Sequence, residues 1–471
     1  MSFFVNPSRL DIVFPHPSDS SRPLFYIVDS VHLLKCIRNN WVNQKNHGRV
    51  MYHPFFHHVL EGAPTPMLSA SFNTLCKLHS SEQGELIKLS HGLTMKALNP
   101  SNLERQNVKL ALQVFSSFVV EALRQRSDRL ENADETAEFV DIIVRWWSVV
   151  NVKTPRKGHR LRDPLQQPVT SMTEPQIVFL NSVVEWLDEW QRQNLDSGRL
   201  TRETHQAFRL TCYALTEVSR YCLEELGFTY VLLGKFQTDS LEERFGQYRR
   251  LSGTQYHISV RQIYESENKL RLQKMMSLPL EEEMGEMSNS PADDDQDFDI
   301  EITDEDIASK RDVMAAITYV AGYCAHPTLK KLTCKPCEEN LVLTHRELVI
   351  ESSMIENLTR GGLKFPQPFV VNSVLYTELV VEKLMSEKHA VRFHAARNQR
   401  QLVVNLTQSL LDSFEDFDCC VNGHAPGLVL RHILCAATNT VLKNYCSKRN
   451  DRPLQQKPAG KNRKAATLKH T

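Results

Sequence analysis

Asp29 stands where an apolar run ends and a helical pattern begins. Leu24, Phe25, Tyr26, Ile27 and Val28 have the β-branched and aromatic content of a buried strand, and Leu33, Leu34, Ile37 and Trp41 then recur at helical spacing. A carboxylate at a strand end, facing the start of a helix, is placed to meet a metal ion or a phosphate. A plain solvent-facing Asp satisfies the same local pattern, which by itself favours that simpler reading. Cys334 and Cys337 have the two-residue spacing of a zinc half-site. Cys419 or Cys420 with His424 offers a second half, so Cys334, Cys337, Cys420 and His424 form a candidate zinc set. Reduced, partly buried cysteines and a surface His are the alternative. The stretch from Asn151 to Gly158 concentrates Lys153, Arg156 and Lys157 in a form that suits a phosphate. No Walker A pattern occurs in the chain, and a solvated loop is the preferred reading of that stretch.

The elements that must position these groups are mostly helical. Leu103 to Leu130 reads as one long amphipathic element, and Glu135 to Val149, Pro175 to Trp190 and Arg202 to Leu226 as three more. Their apolar stripes must pack against one another, which predicts a helical domain between about 49 and 228. Phe228 to Leu233 follows Gly227 and reads as a short strand or a connector. Ser240 to Arg250 is predicted helical, with Leu241, Phe245 and Tyr248 on one face, and Val260 to Met275 forms a second charged helix. Beyond an acidic stretch, Met314 to Tyr323, Pro368 to Met385 and Leu428 to Tyr445 mark a separate helical unit.

Charge is balanced overall, with 56 basic and 56 acidic side chains, but it is unevenly distributed. Residues 281–306 hold thirteen acidic and no basic residues, whereas 448–471 hold eight Lys or Arg against one Asp. The acidic block reads as a solvated linker and the basic tail as a disordered end, because neither has the apolar content that repays ordering. No run of 18 apolar residues suggests a membrane span, and the first residues lack the pattern of a secretory signal. Eleven cysteines scattered over 471 residues suit a reducing compartment. The sequons at Asn357 and Asn405 are then coincidental.

Two segments together resemble a known family. Leu24 to Trp41, LFYIVDSVHLLKCIRNNW, resembles the strand-then-helix segment around the second catalytic Asp of P-element-type DNA transposases, including the THAP-domain transposases. Phe228 to Gly253, FTYVLLGKFQTDSLEERFGQYRRLSG, resembles the same family's stretch around its catalytic Glu. Thr238 stands where that family usually has Gln. Asp239, Leu241, Glu242, Phe245, Gly246, Arg249 and Gly253 match. The resemblance covers about residues 12 to 275 and extends more loosely to the terminal unit, where Ala321, Gly322 and Tyr323 precede the CxxC pair.

The resemblance implies an α/β fold in which a partial RNase H-like core is interrupted by a large all-helical insertion and followed by a mostly helical carboxyl-terminal domain. The implied organisation is core 1–48, GTP-binding-like insertion 49–228, Glu-bearing core 229–278, acidic linker 279–310, helical domain 311–446 and basic tail 447–471. The 213 positions between Asp29 and Glu242 agree with such an insertion. Mg²⁺ prefers hard carboxylate oxygens, and two-metal phosphodiester chemistry needs several of them. By resemblance Asp29 and Glu242 are the catalytic, Mg²⁺-ligating residues, Glu243 is the alternative in a shifted register, and Asp239 is a helix cap. GTP is implied as a ligand, DNA as the partner, a homo-oligomer as one arrangement, and the nucleus as the location. The family's first catalytic Asp lies well upstream of the segment matching Leu24 to Trp41. Only 28 residues precede Asp29 here, with Asp11 and Asp19 in a stretch that resembles the approach to the second Asp. The expectation is therefore a truncated chain, ancestrally a DNA strand-transfer enzyme and itself inactive. A domesticated DNA-binding or GTP-binding module is the alternative.

Overall fold

Among the described residues, the strands form two short antiparallel pairs. In the computed structural model, which describes residues 12–56, 65–251, 258–276, 298–332, 334–343, 350–359, 361–396, 398–411 and 426–450, β1 (Val13–His16) pairs with β2 (Asp19–Phe25), and β3 (Val50–Pro54) with β4 (Met67–Ser71). The expected strand Leu24 to Val28 pairs through Leu24 and Phe25, and the Tyr26 N–H still donates to the Ile12 carbonyl at 2.8 Å. Beyond it, Ile27 and Val28 leave the ladder and pack their side chains against the helical core. Burial against helices thus replaces sheet pairing, and the sheets among the described residues are two hairpin-like pairs within a mostly helical protein.

Helix α1 (Ser30–Val42) follows at once and buries Leu33, Leu34, Ile37 and Trp41 as its spacing predicts. Then come α2 (Phe72–Ser81), α3 (Val108–Val114), α4 (Ser117–Gln125), α5 (Ala133–Val150), α6 (Pro175–Arg192) and α7 (Arg202–Arg220). The stretch 103–130 is thus not one element. Asn107 caps α3 by accepting the Lys109 N–H, and Ser116 caps α4 by accepting that of Phe118. Each side chain offers the backbone a helix start inside a continuous apolar stripe, so the chain bends twice while the stripe stays buried. Residues 221–225 extend α7 as one π-helical turn.

Helices α8 (Asp239–Leu251) and α9 (Val260–Met276) form the next pair. They are joined by Arg244, which holds Glu267 through both carboxylate oxygens at 2.6 Å while Tyr248 donates to the same carboxylate. The carboxyl-terminal part comprises α10 (Met314–Leu332), α11 (Lys335–Leu341), α12 (Pro368–Leu384), α13 (Gln399–Leu411) and α14 (Pro426–Asn450).

The core centres on Trp41. Its ring meets Phe72 and Phe139 edge-on at 5.3 and 4.9 Å, stacks near Phe115, and donates Nε1–H to the Ala70 carbonyl. His53 is fully buried between Phe139, Trp186 and Trp190, and burial pushes its pKa down to about 4, leaving it neutral. One continuous apolar cluster runs from Leu33 to Val441, so the carboxyl-terminal helices share a core with the block after α1. No helix among the described residues is long and apolar enough to cross a membrane.

Candidate functional site

Asp29 caps α1. One carboxylate oxygen accepts the His32 N–H at 3.1 Å, and the other faces the backbone N–H of Thr238 at 3.4 Å. Thr238 directly precedes α8, and its carbonyl accepts the Glu242 N–H. The first turn of the Glu242 helix is therefore brought to Asp29 across more than 200 residues. Asp29 is half-buried, while Glu242 and Glu243 are exposed. Among the described residues no third His, Cys, Asp or Glu joins this pair at metal-sharing distance.

The basic stretch after α5 is tied to the same place. Lys153 forms an ion pair with Asp239, the Gly234 N–H donates to the Val152 carbonyl at 2.9 Å, and Gln237 donates to the Val150 carbonyl at 3.0 Å. The solvated-loop reading thus fails for Lys153. Asp239, expected as a helix cap, is the first helical residue and pairs with a lysine instead. Lys157 donates to the Asn151 carbonyl, and burial holds its pKa below the usual range. A Cβ on Gly234 would lie 2.8 Å from both the Val152 carbonyl oxygen and Lys153 Cγ. Gly234→Ala is therefore expected to push the two segments apart at a cost of about 1–3 kcal/mol. An unchanged thermal midpoint would show that this seam yields freely.

The Arg38, Asn39 and Asn40 run has a structural job. Asn40 accepts the Thr201 N–H at 2.5 Å and donates to the Thr204 hydroxyl, while Arg38 and Asn39 both donate to the Arg105 carbonyl. These bonds hold α1, and with it Asp29, to the helical block. Arg38 is fully buried, and burial followed by the Arg105 charge holds its pKa down.

Of the candidate zinc ligands, Cys334 and Cys337 are buried at the start of α11. Cys420 and His424 lie outside the described residues, and no zinc-type cluster occurs within them.

A different polar cluster escaped the sequence reading. Glu85, Glu378 and Glu382 bring one oxygen each within 4.8 Å of one another, a group of hard donors consistent with a divalent-cation site. The ammonium of Lys310 already sits among them, 2.7 Å from Glu85, 2.6 Å from Glu382 and 3.8 Å from Glu378. Lys310 is almost wholly buried and Glu378 completely so. Burial raises the Glu378 pKa to about 7, against the opposing pull of Lys310 and of the Ile87 N–H that donates to it at 2.9 Å. Burial works against the Lys310 charge, but the Glu378 charge and the bonds to Glu382 and Glu85 outweigh it and push its pKa up. Glu85 belongs to the block after α1, Lys310 to the turn before α10, and Glu378 and Glu382 to α12. The cluster therefore joins them, with Asn357 to Glu121 and Arg129 to Asp312 as further links.

Fold and site together define a mostly helical protein in which a long helical block separates two segments that meet where Asp29 faces the Thr238 N–H. Residues 57–163 match the family model described as the TNP-like GTP-binding insertion domain, and residues 302–429 match the C-terminal domain of DNA transposase THAP9. The Transposable element P transposase of Drosophila melanogaster is 24% identical over 250 residues, covering 51% of this chain and 29% of that protein. The chain thus spans less than a third of that curated relative. Among solved structures, the Drosophila P element transposase strand transfer complex aligns at 21% identity with a TM-score of 0.46, over 58% of this chain and 57% of that one. Over these regions the chain matches the P-element/THAP9-type family of DNA transposases.

Proposed function

We propose that the chain is a transposase-type DNA-binding scaffold in which Asp29 and Glu242 hold Mg²⁺ for phosphodiester chemistry, and that alone it holds the ion too loosely to cut DNA. The observation that carries this reading is the contact between the Asp29 carboxylate and the N–H of Thr238, at the head of the helix that bears Glu242. The donor set fits Mg²⁺, which commonly takes one or two carboxylates and completes its shell with water and substrate phosphate. The ion supplies Lewis-acid activation of the reacting oxygens. Asp29 is fixed by its capping bond and by the anchoring of α1, so it presents a preorganised oxygen. Glu242 is exposed and free to swing onto a phosphate-bound ion. Among the described residues no third acid joins them at metal-sharing distance, so the pair by itself places the ion weakly, and preorganised charge is where such a defect weighs most.

The test is a strand-cleavage and strand-transfer assay with Mg²⁺ or Mn²⁺, comparing the chain with Asp29→Asn and Glu242→Gln, alongside Mn²⁺ binding by electron paramagnetic resonance. No cleavage and weak Mn²⁺ binding that both substitutions diminish is the expected result. Metal-dependent cleavage lost in both variants would overturn the inactivity. Mn²⁺ binding indifferent to both would overturn the site.

A second reading, a non-enzymatic GTP-binding interaction module, is favoured by the insertion-domain match at 57–163. Calorimetric titration of the whole chain with GTP tests it, and heat of binding in a chain that neither holds Mn²⁺ nor cuts DNA would select it. The zinc set Cys334, Cys337, Cys420 and His424 remains part of the proposal, as do nuclear location and self-association.

A further inference from the structure

Helices α10 and α14 pack together, and a cavity of about 290 Å³ opens between them beside Pro327 and Ala436, lined also by Tyr323, Lys331, His432 and Asn439. Neither helix contains a single Asp or Glu over its whole length, in a chain with 56 acidic residues. They carry Lys330, Lys331, Arg431, Lys443, Lys448 and Arg449. Lys330, Lys331, Arg431 and Lys443 are exposed, and none has a carboxylate partner among the described residues. Lys310, Lys364 and Lys383, elsewhere in the carboxyl-terminal part, are by contrast paired with acids. The Thr328 and Thr440 hydroxyls are spent on the carbonyls of their own helices. Burial and the neighbouring Lys331 charge lower the His432 pKa, so a neutral imidazole faces the groove. Tyr323 lies 63% exposed at the rim, an aromatic face with no ring partner among those described.

An acid-free, cationic two-helix face attracts a polyanion, and counterion release supplies the affinity. An exposed ring over an apolar floor suits a nucleobase, as in proteins that bind single strands by combining a basic groove with stacking. The volume sits near the small end of ligand pockets, room for one nucleotide rather than a peptide helix. The sequence beyond Asn450 continues the same charge, with six further Lys or Arg and one Asp.

We infer that the α10–α14 groove is a DNA-strand site, which takes one nucleotide against Tyr323 while Lys330, Lys331 and Arg431 hold the flanking phosphates. This rests on the DNA reading above and adds the surface that makes the contact. The groove needs neither Mg²⁺ nor the Asp29–Glu242 pair.

The experiment is fluorescence anisotropy of the full chain with a labelled 20-nucleotide single strand in EDTA, across a salt series. The variants are Lys330→Glu with Lys331→Glu, Tyr323→Ala, and a third in which the six tail cations are changed to Gln. The lysine pair should weaken binding at least tenfold and flatten the salt slope by about 1.4, two single-strand phosphate contacts. Tyr323→Ala should weaken binding about tenfold while leaving the slope unchanged, which a merely structural tyrosine would not do. Thermal midpoints and circular dichroism establish that each variant is folded. Unchanged affinity in folded groove variants, binding that follows the tail cations alone, or tighter binding to polyglutamate than to DNA would each overturn the inference. Because the assay contains no metal, loss of the cleavage reading leaves this result standing, and the reverse also holds.

Discussion

Lys310→Met is expected to destabilise the protein by about 3–5 kcal/mol, the usual cost of removing one partner from a buried ion cluster. Methionine nearly matches the lysine stem in volume, so the loss is one of charge. Glu85 and Glu382 each lose a short bond, at 2.7 and 2.6 Å, and three carboxylates are left facing one another. Their repulsion adds to the desolvation they have already suffered. The measurement is urea unfolding of the full chain at pH 7.5. A second variant, Lys310→Met with Glu378→Gln, should recover part of the loss, because it removes one of the facing charges. A single-variant loss under about 1 kcal/mol would mean that water or a metal ion already balances the cluster.

The second large effect is a pH dependence carried by Glu378. Its pKa stands near 7 in the folded protein, above the ordinary value of 4.5 that the unfolded chain restores. Between these values the folded protein keeps a proton that the unfolded chain has lost. Stability from this group is thus fully present below about pH 4.5 and is given up as pH rises through 7. The whole swing is at most on the order of 3 kcal/mol. Glu378→Gln leaves an oxygen to accept the Ile87 N–H and removes the titration. Relative to the parent, the variant should therefore gain stability from pH 5 to about pH 7 and level off above it. Taking the difference between the two proteins cancels the other carboxylates. A difference that stays flat with pH would show that Glu378 is ionised throughout and wholly balanced by Lys310, whose own charge persists over this range.

Periodicity was a sound guide where a helix has one apolar stripe and a clean cap. Helices α5, α6 and α7 fall within a few residues of their expected bounds, since Pro175 and Thr201 announce the starts of the last two. It failed between 103 and 130, where the stripe is continuous but Asn107 and Ser116 reset the backbone. A hydrophobic pattern records which face is buried and is blind to a bend that keeps the face buried. Leu24 to Val28 held as strand only in its first part and misled at Ile27 and Val28, since β-branched residues answer to burial on any surface, sheet or helix. The pairing of Asp29 with the Glu242 helix was legible only through family resemblance, because no local rule connects residues 209 positions apart. The Lys310 cluster was not legible at all. Its four members are ordinary charged residues up to 297 positions apart, Glu85 and Lys310 outside helices and Glu378 and Glu382 on one, and only tertiary packing turns them into a buried group.

That cluster also bears on how far the two matched regions are exchangeable parts. Residue 85 lies in the region matched at 57–163, while residues 310, 378 and 382 lie in that matched at 302–429. A chimera that drew its insertion from a relative with a neutral side chain at the equivalent of Glu85 would inherit a mismatched half. Its fault would surface at the seam, although each donor half was sound in its parent. Replacing the cluster would require matched changes in both regions at once, so the two must be grafted, or allowed to diverge, as a single unit.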